Sequence, residues 1–83
     1  MPYQVKMYVS YKDGILDPVG KTTASALNSL GYVNIGDVAV GKYITFTLDA
    51  PSEEKARAQI KEMADKLLTN PVIEKYSFEL ESE

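Results

Sequence analysis

The chain has 83 residues, a formal net charge of −3, no cysteine and no histidine. A domain this small buries a modest share of its surface and often needs a further source of stability. Without cysteine there are no disulfides, and structural zinc sites, which use cysteine or histidine, are disfavoured. Oligomerisation is the source that remains, and we predict a single domain over residues 1–83 that self-associates.

The composition also disfavours several classes of function. Without histidine and cysteine, the chain lacks the commonest general base, the thiol nucleophile and the usual catalytic triads. Its nine basic residues are scattered, whereas a nucleic-acid binder normally presents a basic face. No apolar stretch is long enough for a signal peptide or a membrane span. We expect a cytoplasmic protein with neither nucleic acid nor membrane as a partner.

The first predicted element is a strand over residues 3–12. Large apolar or aromatic residues occupy its odd positions and polar residues most of its even ones, with Tyr8 as the exception. This period of two is typical of a strand with one buried face. Asp13-Gly14 follows as a predicted turn.

A helix is predicted from Asp17 to Leu30. The Asp17 carboxylate can cap its first turn, and Pro18 suits the first helical position. Gly31 is the expected left-handed cap at its end. Gly20 is read most simply as a glycine tolerated near a helix end; otherwise something packs close to that turn, or the turn faces a partner. The predicted buried face consists of Val19, Thr23, Ala26, Leu27 and Leu30.

The stretch over residues 33–49 allows more than one arrangement. A two-residue hairpin turn at Gly41-Lys42 would place Ile44 and Val38 on opposite faces of the sheet. A hairpin with a three-residue loop centred on Gly41 would pair these two residues, and a single long strand bent at Gly41 would also keep one apolar face. That face consists of Val38, Val40, Ile44, Phe46 and Leu48.

A second helix begins after Ser52, which can cap it, and ends at Asn70-Pro71, because the residue before proline is pushed out of helical geometry. Glu62 and Lys66 form an i,i+4 pair on its surface. The predicted buried stripe is Ala56, Ile60, Met63, Ala64 and Leu67. The last strand spans residues 72–80, with Val72, Tyr76, Phe78 and Leu80 on one face.

The elements predict an α+β fold of order β-α-β(β)-α-β, in which two helices pack on a mainly antiparallel sheet as a two-layer sandwich. The middle strand is either long and bent or a hairpin at Gly41. A long strand would outrun an 83-residue monomer and could be shared between protomers of an oligomer.

No catalytic constellation stands out from the residues alone. Asp13 and Asp17 are explained as turn and cap, and no phosphate-binding glycine pattern is present. Lys42 interrupts an apolar face, either as a solvated lysine or as a contact to an acidic partner. The residues by themselves therefore indicate a small binding module rather than an enzyme.

Three stretches together carry a family resemblance: GILDPVG at residues 14–20, GKYITF at 41–46 and KLLTNPVIEKY at 66–76. In order and spacing they resemble PurS, the small subunit of the three-part phosphoribosylformylglycinamidine (FGAM) synthase of purine biosynthesis. The resemblance covers essentially the whole chain. One departure is Val19, where the family usually has glutamine, so a polar contact at that helix start is not expected here.

The resemblance implies a subunit without catalytic residues, metal or cofactor of its own. In such complexes a PurQ-like glutaminase releases ammonia, and a large PurL-like synthetase, with ATP and magnesium, joins that ammonia to formylglycinamide ribonucleotide. The small subunit, a homodimer or dimer of dimers, bridges the two and assists ammonia transfer. We expect its partner contacts in the irregular backbone between rigid elements. The candidate residues are Asp17, Pro18, Gly41, Lys42, Asn70 and Pro71.

The principal alternative function is a small-molecule-binding regulatory module on a similar α+β sandwich. An acylphosphatase-like enzyme would need an arginine in a phosphate-binding loop, and the only arginine, Arg57, falls on the second helix. A nucleic-acid binder would conflict with the acidic balance of the chain.

Overall fold

The computed structural model describes all residues, 1–83. It confirms the predicted α+β class, with two helices and a three-stranded antiparallel sheet in the order β-α-β-α-β. The elements are β1 (Pro2–Tyr11), α1 (Pro18–Ser29), β2 (Lys42–Asp49), α2 (Glu53–Met63), a π-helical segment that continues α2 (Ala64–Leu68), and β3 (Glu74–Ser82).

The sheet has the order β2-β1-β3, and β1 pairs antiparallel with both neighbours. Met7, at the middle of β1, lies opposite Ile44 on one side and Phe78 on the other. Both outer strands have one free edge. Because side chains alternate along a strand, the odd residues of β1 all point to the same face.

The core lies between that face and α2. Ile60 and the following Ala64 are fully buried against Val5, Met7 and Val9 of β1. Burial of a side chain as large as that of Ile60 or Met7 contributes about 1.5–3 kcal/mol to the free energy of folding. No residue of α1 belongs to the buried core clusters.

The middle stretch forms one strand, which begins at Lys42, and residues 33–41 form none. The hairpin is therefore absent, and the strand is shorter than the long-strand alternative. Two contacts give the reason. The Val40 N–H donates to the Asp17 carboxylate at 2.9 Å rather than to a strand. Gly41 packs directly on the Val9 carbonyl oxygen, where any Cβ would overlap.

Both predicted caps of α1 are present. Asp17 is the N-cap, and its side chain accepts the Gly20 N–H at 2.8 Å. Gly31 has a φ of +100°, and the N–H groups of Gly31 and Tyr32 donate to the carbonyls of Asn28 and Leu27. This pair of bonds is the Schellman arrangement, which satisfies carbonyls that the helix leaves free.

The simple interpretation of Gly20 as a tolerated glycine is wrong. Gly20 is buried, and a Cβ there would overlap the Val38 carbonyl oxygen and lie 2.7 Å from Asp17 Oδ2. Glycine therefore allows the returning backbone at Val38 to approach the first turn of α1 closely.

The segment that contains α1, residues 12–41, extends beyond the sheet and is called the α1 arm below. The chain measures 52 × 27 × 14 Å and has a radius of gyration of 16.4 Å, against about 12 Å for a compact chain of this length. Gly20 is the only buried residue of the arm. The face of α1 predicted to be buried is exposed at both ends in the single chain, since Val19 is 55% and Leu30 is 74% exposed.

Two residues predicted to be buried are exposed. Leu67 is 83% exposed, because the last turn is π-helical: the Thr69 N–H donates to the carbonyl of Ala64, five residues back. This wider turn brings Leu68, not Leu67, against the core. Val72 lies in a turn before β3, which begins only at Glu74.

Candidate functional site

The three sequence motifs meet at one end of the sheet. A cavity of about 280 Å³ opens there, and its lining includes Asp17 from the first motif, Gly41 and Lys42 from the second and Glu74 from the third. We call this region the corner. The fold thus brings together three stretches that lie far apart in the chain.

Asp17 fixes the base of the α1 arm. One carboxylate oxygen accepts the Gly20 N–H at 2.8 Å and the other accepts the Val40 N–H at 2.9 Å. The carboxylate therefore caps α1 and also binds the chain as it returns to β2. These hydrogen bonds, that of Val40 above all, lower the pKa of Asp17 because they favour the charged form. Pro18 is exposed next to it.

Lys42 connects the second motif to the third. Its ammonium donates to the Leu68 carbonyl oxygen at 3.3 Å and lies 3.7 Å from Glu74 Oε2. The Lys42 side chain remains 54% exposed, whereas that of Glu74 is only 14% exposed. Lys42 is thus solvent-exposed, as one of its two interpretations predicted, and it also contacts an acidic group of its own chain.

Asn70 organises the turn into β3. Its side-chain oxygen accepts the Val72 N–H at 3.1 Å, and its own N–H donates to Glu74 Oε1 at 2.7 Å. The Pro71 carbonyl oxygen accepts a hydrogen bond from the Lys12 ammonium at 2.5 Å. Asn70 and Pro71 are exposed outside these contacts. These hydrogen bonds join the turn to the end of β1.

Glu74, which joins two of the motifs, was not among the residues predicted from the sequence. Its two carboxylate oxygens contact Asn70 and Lys42 separately. The sequence offered one signal for Glu74, which is its position in the KLLTNPVIEKY stretch directly after the apolar pair Val72-Ile73. In the structure Glu74 is half-buried at the start of β3. Lys12 was also missed, although it follows β1 directly and reaches the same turn.

The two carboxylates of the corner hold the chain to itself. Both oxygens of Asp17 and both of Glu74 have partners within the chain. No three potential metal ligands of the His, Cys, Asp and Glu types are grouped together. None of the helices combines the length and apolar character needed to cross a membrane.

The sequence profile of PurS, described as phosphoribosylformylglycinamidine (FGAM) synthase, matches residues 4–82. The chain belongs to the PurS family. It is 45% identical over 78 residues to the FGAM synthase subunit PurS of Synechocystis, an alignment that covers 94% of this chain and 78% of that protein. The resemblance in the three motifs is thereby confirmed.

Solved structures of the PurS family show the same fold. A crystal structure of Bacillus subtilis PurS superposes with a TM-score of 0.88 at 44% identity, covering 96% of this chain and 99% of that one. A chain of the Thermotoga maritima PurLQS structure gives a TM-score of 0.87 at 28% identity, covering 96% and 98%.

Proposed function

We propose that this chain is the non-catalytic small subunit of a three-part FGAM synthase. In this role it links a glutaminase subunit to the ATP-dependent synthetase subunit and assists ammonia transfer to formylglycinamide ribonucleotide. The observation that carries the proposal is the end-to-end match to PurS, including a chain of the Thermotoga maritima PurLQS structure. ATP and magnesium belong to the large subunit, and all three subunits to the cytoplasm.

The geometry of the corner supports a linking role. Its loops are held by side-chain to backbone bonds, while Pro18, Asn70 and Pro71 are exposed around it. A preformed surface loses little conformational entropy on binding, which favours affinity. We place the contacts to the partner subunits at this corner, on the six predicted residues from the three motifs.

The distribution of exposed apolar side chains supports self-association of the chain. Most of its exposed large apolar side chains lie on the α1 arm, and the sheet keeps two free edges. Exposed strand edges and apolar patches of this kind are usually covered by pairing or docking. We infer a homodimer, or a dimer of dimers, as the form that enters the complex.

Reconstitution of the activity tests the function. FGAM formation is measured with the glutaminase and synthetase subunits of the same organism, once with glutamine and once with ammonium as nitrogen source. We expect glutamine-dependent turnover only when this chain is present and ammonium-dependent turnover that does not require it. Equal glutamine-dependent turnover without the chain would contradict the linking role.

The position of the contacts is tested separately with Lys42→Glu and Asn70→Ala. The matched control is Lys55→Glu, the same charge reversal on the exposed surface of α2. Thermal unfolding first verifies that each variant is folded. If both corner variants assemble as well as the control, the contacts lie elsewhere on the subunit, and the linking role itself is unaffected.

A further inference from the structure

Two tyrosines form a stacked pair on the face of the sheet that α2 does not cover. Tyr8 of β1 lies directly opposite Tyr43 of β2, and their ring centroids are 5.2 Å apart with the ring planes inclined by 26°. Tyr8 is the residue that breaks the alternation of β1. Both side chains are exposed to solvent, since Tyr8 is 42% and Tyr43 is 59% exposed. An otherwise polar face of the sheet therefore carries an aromatic surface.

Glu79 of β3 completes this group, which we call the tyrosine patch. The Tyr8 hydroxyl donates to Glu79 Oε1 at 2.7 Å, and this bond above all raises the pKa of Tyr8 to about 12. None of the ion pairs of the chain includes Glu79, although Lys6 lies directly opposite it in the register. Glu79 Oε2 therefore has no partner within the chain.

The tyrosine patch is formed before any partner binds. Its three side chains come from three neighbouring strands of one sheet, and they contact each other. Tyrosine offers a large contact area at a low cost in conformational entropy, and groups that are already ordered lose little more of it on binding. Tyrosine and arginine are also enriched among the residues that dominate the binding energy of protein interfaces.

The chemistry of the patch favours a cation. The faces of aromatic rings attract positive charge, and Glu79 adds a carboxylate oxygen without a partner. A guanidinium suits both groups, because it is planar, stacks on rings and donates to carboxylates, whereas an ammonium is more strongly hydrated. Tyr43 covers one face of the Tyr8 ring. On the other side of Tyr8 the opposite residue is Ser77, which is small and exposed, so a planar group has room there.

A second copy of this chain does not offer a suitable guanidinium. The only arginine is Arg57, which lies 3.6 Å from the Glu53 carboxylate and 5.7 Å from the centroid of the Phe78 ring. Phe78 packs against the core, on the opposite face of the sheet. Because Arg57 already has two partners there, the guanidinium comes from a different protein.

We propose that the tyrosine patch binds an arginine side chain of one of the two partner subunits. The inference rests on the proposed function and adds a second contact surface to it, since a subunit that links two proteins needs a surface for each. Tyr43 directly follows Lys42 of the corner, but successive residues of a strand point to opposite faces. The patch and the corner are therefore separate surfaces.

A tyrosine pair across two strands also stabilises the sheet by itself, so the main variant keeps both rings. Glu79→Lys reverses the charge of the patch. The matched control is Glu81→Lys, the same change on the same face and strand, at an exposed residue without a contact to the tyrosines. Thermal unfolding at one protein concentration first verifies that both variants are folded.

Titration calorimetry then measures the affinity of each variant for the glutaminase and synthetase subunits of the same organism, separately and mixed. We expect Glu79→Lys to weaken binding to one of them roughly thirtyfold or more, and Glu81→Lys to stay within about threefold of wild type. Tyr8→Leu should weaken the same binding more than Tyr8→Phe, which keeps the ring. Equal affinities of Glu79→Lys and Glu81→Lys would overturn the proposal.

Chemical protection identifies the group that the patch binds. Each partner subunit is treated with phenylglyoxal, which modifies arginine, or with acetic anhydride, which modifies lysine, and mass spectrometry locates the modified residues. We expect wild type and Glu81→Lys to protect one arginine of the partner that Glu79→Lys leaves reactive. A lysine protected in its place, or the same protection by all three chains, would refute an arginine at the patch.

Two further measurements separate the ways in which the proposal can fail. If Glu79→Lys changes the molar mass of the small subunit alone in light scattering, the patch is an interface between copies and the proposal is refuted. If wild type neither binds a partner subunit nor restores glutamine-dependent turnover, the proposed function fails as well. If wild type does both and Glu79→Lys does them equally well, only the role of the patch is refuted.

Discussion

Replacement of Gly41 by alanine tests whether the close approach at the corner determines the path of the chain. A Cβ at Gly41 would overlap the Val9 carbonyl oxygen and lie 3.3 Å from the Val9 carbonyl carbon, while ordinary contact begins at 3.4 Å. The Val9 carbonyl belongs to the central strand, paired on both sides. It cannot move aside without disturbing the sheet, so the segment before Lys42 has to move instead.

The expected cost follows from this overlap. Forcing an extra methyl group into a packed site typically costs about 1–3 kcal/mol. For a domain of this size, about 2 kcal/mol corresponds to a fall in Tm of roughly 8–16 °C. The displaced Lys42 should also lose its contacts with Glu74 and Leu68.

Gly36→Ala is the matched control. Gly36 lies in the same arm, but nothing is within 4 Å of a Cβ placed there, and its φ is not in the left-handed region. Alanine there should keep or slightly raise the Tm, because it restricts the unfolded chain. The assay is thermal unfolding by circular dichroism at one protein concentration, since the Tm of an oligomer depends on concentration. If Gly41→Ala and Gly36→Ala unfold at the same temperature, the reasoning about the corner is refuted.

Three further predictions concern single side chains. The pKa of Asp17 is lowered in the folded chain, so the ionised carboxylate stabilises the fold at pH values above its unfolded pKa of about 3.9, and this stabilisation is lost as the pH falls through the folded pKa. The difference in Tm between wild type and Asp17→Asn should therefore disappear in acid. A difference that does not depend on pH would contradict the role of Asp17 as an ionised cap. The hydrogen bond from Tyr8 to Glu79 raises the pKa of Tyr8 to about 12, and burial raises the pKa of Tyr76. Ultraviolet titration should therefore show late-ionising tyrosines, of which Glu79→Gln shifts only Tyr8 to lower pH; an unchanged curve would count against the bond. Ile60→Ala removes a fully buried core side chain and should cost about 2–5 kcal/mol in urea unfolding, whereas a cost below 1 kcal/mol would place Ile60 outside the core.

Much of the fold was predictable because local signals and the tertiary structure agree. The alternation in β1, the caps at Asp17 and Gly31, and the break at Asn70-Pro71 each follow from short-range chemistry. The predicted ion pair between Glu62 and Lys66 forms at 2.8 Å.

The remaining features depend on contacts that a periodic pattern does not contain. Leu67 continues the apolar stripe of a helix with 3.6 residues per turn. The π-helical segment has more residues per turn, so the Leu67 side chain points outward. Val72 continues an apolar alternation, yet the turn at Asn70 delays the strand to Glu74. The start of β2 at Lys42 depends on the hydrogen bond from Val40 to Asp17, which is distant in sequence.

In the candidate site, too, local sequence signals predict some residues, and tertiary contacts determine the others. Asp17, Gly41, Lys42 and Asn70 were predicted from their motifs. The first three line the corner cavity, and the Asn70 N–H donates to Glu74, which also lines it. Glu74, which contacts Asn70 and Lys42, was missed because its role comes from two partners that only the folded structure brings near it.

The most direct test of the account is the molar mass of the mixed subunits. Light scattering is applied to this chain, to the glutaminase and synthetase subunits of the same organism, and to every pairwise and three-way mixture. We expect a self-associated small subunit and a three-part assembly that forms only when this chain is included. A chain that stays separate from both subunits, or an equally stable glutaminase–synthetase complex that forms without it, would contradict the linking role.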